Sequence, residues 1–194
     1  VKGSSRNSDH NLEIYLNNTI QKFDGIYVIN NALKKYFIEK TNNQVPIKTI
    51  LMTVEPDRFE NQSSESPFDF EYITYCGSMY GDKDGVPILI QAFSRIEKKW
   101  PNIKLVLIGD TSKKTEFAEI SKLVSSLELD NKILFTGKVD RKDMPRYLNN
   151  AKILCLARPN NKQAEGGFPT KLGEYFATKK PVVLTNVGEI HEYV

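Results

Sequence analysis

The residues best suited to chemistry lie in the stretch EGGFPTKLGEYFATKKP, from Glu165 to Pro181. It reads as a loop, Glu165–Gly166–Gly167–Phe168–Pro169, leading into a helix with Thr170 as the expected N-cap. A Gly-Gly pair ahead of a helix start exposes several backbone N–H groups. The helix dipole there favours negative charge, so Gly166 to Thr170 suit a phosphate. Lys171 in the first turn opposes that dipole, a placement that makes sense beside an anion. Glu174, one turn inside, offers a carboxylate that can accept two hydroxyls. Taken singly it is indistinguishable from a solvated surface glutamate; its place just past the glycines sets it apart. Glu165 offers a second carboxylate, either a surface acid or one facing a sugar. Phosphate and hydroxyl recognition together point to a phosphorylated ribose or a nucleotide sugar.

The elements that must position this stretch show in the hydrophobic pattern. Short apolar runs at 72–76, 105–108, 133–135, 153–156 and 182–184 read as strands. Helical spacing lies between them at 86–100, at 115–127, from Asp140 as cap through Leu148, and after Thr170. Strand and helix alternate five times, and the strands are apolar on both faces. That predicts an α/β fold, a doubly wound parallel sheet of Rossmann-like type. Upstream, residues 1–9 are polar and expected to fray. Leu12, Leu16, Ile20 and Phe23 mark a helix, and 26–29 a strand. Asn30 or Asn31 caps a helix carrying Leu33, Tyr36 and Phe37, and 47–54 reads as another strand. Residues 56–69, rich in proline, serine and acids, read as a linker. The expected division is therefore 1–55, a linker at 56–69, and a main domain at 70–194.

Ligands of such sheets bind outside the carboxyl ends of the strands. The loops there run from Gly77 through Ser78, Gly81, Asp82, Lys83 and Asp84 to Gly85, and include Gly109–Asp110–Thr111, Gly137–Lys138–Val139–Asp140, and Arg158 onward to Gly167. Glycines and the cations Lys83, Lys138, Arg158 and Lys171 share this rim, while opposite loops such as 98–101 and 129–131 lack glycine. The asymmetry argues for an anionic ligand such as a nucleoside diphosphate, although glycines also permit tight turns. Base contacts are expected from Lys138, Val139 and Arg158. No G-x-G-x-x-G fingerprint, P-loop or nucleophile elbow is present. His10 and His191 are far apart, without a paired acid or cysteine at metal spacing. The 194 residues are 40% hydrophobic and 26% charged, with net charge +3. That charge is too weak for a nucleic-acid binder. No run approaches the ~18 apolar residues of a membrane span. Cys76 and Cys155 sit in apolar runs and read as free buried thiols, fitting a reducing, cytoplasmic compartment.

Several of these segments together resemble one family. GGFPTKLGEYFATKKPVVLTNVGEIHEYV looks like the donor-binding signature of retaining GT-B glycosyltransferases of the glycosyltransferase group 1 family (family 4). YCGSMYGDKDGVPILIQAFSRI, LVLIGD and ILFTGKVDRKDMPRYL resemble its C-terminal domain, in the same order. DGIYVINNALKKYF and ILMTVEPDRF are similar to the end of its N-terminal domain. The likeness covers nearly all of 11–194.

The resemblance implies a donor-binding domain preceded, in residues 1–55, by the last piece of the acceptor domain. It further implies that the rest of that domain, and helices beyond Val194, lie outside this chain, which alone should not turn over. Glu174 matches the family's glutamate that holds the ribose hydroxyls. The family's first glutamate, eight positions earlier, falls on Gly166. Glu165, one residue further, needs a bulge in the loop to serve as the catalytic acid facing the donor sugar. The family's arginine after the first-strand glycine is Ser78 here. Its lysine is Lys83, with Asp84 inserted before Gly85. Donor contacts are thus expected from Gly77, Ser78, Lys83, Lys171 and the backbone of 166–170. No cofactor and no metal are expected. The implied partners are a nucleotide-sugar donor and a saccharide or lipid-linked acceptor, in bacterial surface polysaccharide synthesis, with peripheral membrane association. A nucleotide-sugar epimerase of the same architecture and a non-catalytic nucleotide-binding module stay open beside this reading.

Overall fold

The computed structural model describes residues 4–60, 65–80 and 83–194, without the side chains of 4–10 and 12. Gly81 and Asp82 of the first strand-end loop, part of the linker, and residues 1–3 lie outside the described residues. The segment expected to fray is helical from Ser4: α1 spans Ser4–Thr19 and runs into a single tight turn, Ile20–Lys22.

Two parallel sheets follow. The smaller pairs β1 (Ile26–Val28) with β2 (Ile47–Thr49), joined by α2 (Asn31–Lys40). Asn30 caps α2 by accepting from the Leu33 N–H at 2.8 Å. A second cap comes from far along the chain. The Glu189 carboxylate accepts from the Asn31 and Ala32 N–H groups at 3.0 and 2.7 Å. The strand expected over 47–54 stops at Thr49, because β1 offers only three residues to pair with. Ile50 to Val54 are exposed.

The larger sheet has the order β5-β4-β3-β6-β7, all parallel. Its strands are β3 (Glu71–Cys76), β4 (Ile103–Ile108), β5 (Ile133–Gly137), β6 (Ile153–Leu156) and β7 (Val182–Leu184). Leu105, Val106, Leu107 and Ile108 are at most 1% exposed, as a central strand covered on both faces must be. The cover comes from α3 (Val86–Ser94), α4 (Lys114–Ser126), α5 (Met144–Asn149), α6 (Lys162–Gly166) and α7 (Lys171–Ala177). Three expectations need correction. The helix from Val86 ends at Ser94 and continues as tight turns to Trp100, leaving Ile96 46% exposed. Asp140 accepts from the Asp143 and Met144 N–H groups through its backbone carbonyl, and α5 begins only at Met144. Glu165 and Gly166 are the last turn of α6 rather than loop.

Strand order reverses between β3 and β6, the switch point at which open α/β sheets form their ligand crevice. The described parts of the stretch 56–69 pack on this domain. Phe59 is 5% exposed in the main core, and Phe68 stacks on Phe70 beside Tyr72.

Candidate functional site

At the switch point the strand ends hold a buried polar cluster. Lys171 donates to Asp84 Oδ2 at 2.6 Å, Tyr75 donates to the same oxygen at 2.8 Å, and Arg158 Nε lies 3.9 Å from Oδ1. Asp84 and Arg158 are 4% and 2% exposed. Burial pushes the Asp84 carboxyl up, but Lys171, Tyr75 and Arg158 outweigh it and hold it below the ordinary carboxylate range. Burial pulls Lys171 down, opposed by Asp84. Arg158 also donates to the backbone carbonyls of Lys83 and Gly167. One carboxylate between two cations leaves a surplus positive charge beneath the strand ends.

This cluster revises two expectations. The anion that Lys171 faces is Asp84, the residue inserted before Gly85. Arg158 is committed to the framework and buried, so it is not placed to touch a base. Gly77 is required here, because a Cβ on it would collide with the Lys171 ammonium and the Tyr75 hydroxyl. Tyr175 ties α7 to the same strand ends, its hydroxyl accepting from the Cys76 N–H at 2.9 Å and donating to the Cys155 carbonyl at 3.4 Å. Both thiols are free and buried, and burial pushes them up, Cys76 to about 11 and Cys155 to about 12.

Beside the cluster opens a cavity of about 380 Å³ lined by Thr53, Val54, Glu55, Arg58, Arg141, Thr170, Lys171 and Glu174. Sequence reasoning found three of these, Thr170, Lys171 and Glu174. It missed the wall made by residues 53–58 and by Arg141. Glu174 Oε1 accepts from Arg58 Nη1 at 2.9 Å, and Arg58 Nη2 donates to the Arg141 carbonyl at 2.9 Å. Arg141 in turn pairs with Glu55 at 2.9 Å. Three cations and two carboxylates thus line one concave wall.

The other expected site residues scatter. Thr170 precedes α7 but makes no side-chain cap bond, having helical backbone angles itself. Glu165 is exposed at the end of α6 and does not line the cavity; its carbonyl accepts from Asn30 of the smaller unit at 3.3 Å. Gly166 packs near Leu33, and Gly167 sits tight against the Gln163 carbonyl. Phe168 packs on the Tyr193 ring, centroids 4.8 Å apart, and Pro169 is buried. Ser78 and Lys83 are exposed on the rim. Lys138 pairs with Asp110 at 3.2 Å, and Val139 packs on the core. A larger apolar groove, about 470 Å³ along α3 and the faces of β3 and β6, holds none of the expected site residues. Among the described residues, no group of three or more His, Cys, Asp or Glu could hold a metal ion. No described helix is long and apolar enough to cross a membrane.

Residues 71–194 match the sequence pattern of the glycosyl transferases group 1 family. The chain belongs to that family. It is 30% identical over 130 residues to the lipopolysaccharide 1,2-N-acetylglucosaminetransferase of Salmonella typhimurium, covering 65% of this chain and 33% of that protein. Two solved structures share the fold of this group 1 domain. A glycosyltransferase from Rickettsia africae is 22% identical with a TM-score of 0.72, over 95% of this chain and 50% of that one. Anabaena HepE in complex with UDP-glucose is 19% identical with a TM-score of 0.75, over 94% and 50%. The group 1 chain therefore spans a third to a half of the length of these relatives. Its five-stranded sheet is the Rossmann-like domain of the GT-B architecture.

Proposed function

We propose that the chain is the donor-binding part of a glycosyltransferase that moves a sugar from a nucleoside diphosphate sugar to an acceptor hydroxyl, with retention. One observation carries this reading. Glu174 stands in a cation-lined cavity beside the strand switch point, one of its carboxylate oxygens already held by an arginine. A ribose hydroxyl would donate to Glu174, whose charge Arg58 balances as Glu55 balances that of Arg141, while Lys171 is left to face the diphosphate. The wall and the Lys171–Asp84–Arg158 cluster share Lys171 and together set four cations against three carboxylates, a single positive charge in excess, and Ser78 and Lys83 stand on the same rim. Lys138 and Val139 would lie toward the base. Catalysis would rest on holding the donor and on stabilising the diphosphate as it departs with the electrons of the glycosidic bond. Glu165 lies at the junction of the two sheets, and we assign it to the donor-sugar side.

Residues 1–55 would then be the end of an acceptor domain, and the acceptor a saccharide or a lipid-linked one. The lipopolysaccharide enzyme among the relatives supports a bacterial surface polysaccharide as product. Cytoplasmic placement, at the inner membrane face, follows from that substrate class. We propose that neither metal nor cofactor is needed, since the cations of the wall supply the counter-charge.

The test uses a protein spanning both domains, screened by thermal shift against UDP-, GDP- and ADP-sugars. A donor at 100 times its Kd should stabilise by about 2.7 kcal/mol. Glu174→Ala should remove most of that effect and the transferase activity. Stabilisation by none of the donors, or a Glu174→Ala protein that keeps both affinity and activity, overturns the reading.

A further inference from the structure

Arg58 belongs to neither sheet. It ends a one-turn helix, Pro56–Arg58, in the segment between them. Yet its guanidinium is fixed from three sides. Nη1 donates to Glu174 Oε1, Nη2 donates to the Arg141 carbonyl, and Cζ lies 5.3 Å from the ring centroid of Phe59, itself buried in the main core. Both charged side chains are shielded, Arg58 being 20% and Glu174 27% exposed. The fit extends to the backbone. A Cβ on Gly173, next to Glu174, would lie 3.2 Å from Val54 Cβ, so α7 is seated closely against residues 54–58.

A carboxylate bonded this way has one oxygen committed and one available. Oε2 makes no hydrogen bond among the described residues, and Glu174 lines the cavity. A freely rotating glutamate would lose rotamer freedom on accepting a hydroxyl; one held by a fixed guanidinium has lost it already. We propose that Arg58 is a positioning residue for ribose recognition: it holds Glu174 so that the free oxygen faces the sugar hydroxyls of the nucleotide. The inference rests on the donor-binding reading above. It also makes segment 53–58 one wall of the ribose subsite, so that the connection between the two sheets carries part of the donor affinity.

The experiment measures binding by calorimetry in a protein spanning both domains. The probes are UDP, GDP and ADP, and the 2′,3′-dideoxy form of whichever binds. The readout is the ratio of the two dissociation constants, which a merely structural residue would leave unchanged. Wild-type protein should prefer the ribose form by about 10-fold or more, the worth of a hydrogen bond to a charged group. Arg58→Gln should weaken the ribose form about 10-fold, leave the dideoxy form unchanged and bring the ratio toward one. Glu174→Ala should do the same. Arg58→Lys, which keeps the charge but cannot reach both acceptors, should fall between; it serves alone if Arg58→Gln melts below the assay temperature. A ratio kept in both Arg58 variants but lost in Glu174→Ala overturns the positioning role and spares the donor reading. Equal weakening of both nucleotide forms also overturns it, placing the guanidinium on phosphate instead. A ratio kept in Glu174→Ala, or no binding of any nucleoside diphosphate, overturns both.

Discussion

Replacing Asp84 with asparagine keeps the shape of the buried cluster and removes its only carboxylate. Lys171 then loses the partner 2.6 Å from its ammonium, and Arg158 the nearest anion to its guanidinium. Removing one member of a buried pair costs about 3–5 kcal/mol, because the other charge stays desolvated. The lower end applies here. Arg158 keeps the Lys83 and Gly167 carbonyls, the Tyr75 hydroxyl can turn its one proton to the Ser78 carbonyl 2.7 Å away, and Lys171 is 14% exposed. Asp84→Asn should therefore cost about 3 kcal/mol. Lys171→Met should cost less, since Asp84 retains Arg158 and Tyr75. The double variant has no orphaned lysine and should recover about 2 kcal/mol of the summed losses. Urea denaturation followed by circular dichroism measures all four stabilities at constant slope. Single losses that add within about 0.5 kcal/mol would show that Asp84 and Lys171 do not act as a pair. The cost should also depend on pH. Asp84 has a depressed folded pKa, so its contribution is present above its unfolded value near 3.9 and is lost as pH falls. Without Asp84, the main influence opposing burial at Lys171 is gone, and its folded pKa drops further. The penalty on the variant is then relieved as pH rises through that value toward about 10.4. The difference between the two proteins should be greatest at intermediate pH and narrow at both ends.

Two other outcomes follow from single side chains. Tyr175→Phe strips the acceptor from the Cys76 N–H in a fully buried site and should cost about 1–3 kcal/mol in the same denaturation assay; a neutral result would mean that water takes its place. Glu189→Ala removes a carboxylate from the start of α2, where Asn30 still caps. It should cost about 1 kcal/mol and speed hydrogen exchange at the Asn31 and Ala32 amides several-fold, and unchanged exchange there would rule out the contact in solution.

The alternation of strands and helices was legible because parallel strands buried on both faces leave unbroken apolar runs, as Leu105–Ile108 do. Glu174 was legible from its place one turn past the glycines. The rest of its surroundings was not. Arg58 lies 116 positions away in a stretch without periodicity, and nothing local to it signals a carboxylate partner. Lys171 did announce an anion through its place at a helix start. The identity of that anion, Asp84, depends on strands β3 and β6 lying side by side, which a linear pattern does not state. Helix α6 escaped notice because it has five residues, one buried, and ends in glycine. Arg158 misled for a physical reason: a cation on a ligand rim and a cation folded beneath it have the same sequence neighbours.

The double cap on α2 has a consequence for how the chain is made. Asn31 and Glu189 are 158 residues apart, and the intervening residues include the whole large sheet. At about 5–20 residues per second, the ribosome needs roughly 8–30 s after placing α2 before Glu189 exists. Throughout that interval the smaller unit holds its helix start with Asn30 alone. Its final seating waits until residue 189 has been made, so the acidic hook there works as a late stitch, drawn only once all five strands of the large sheet have been synthesised.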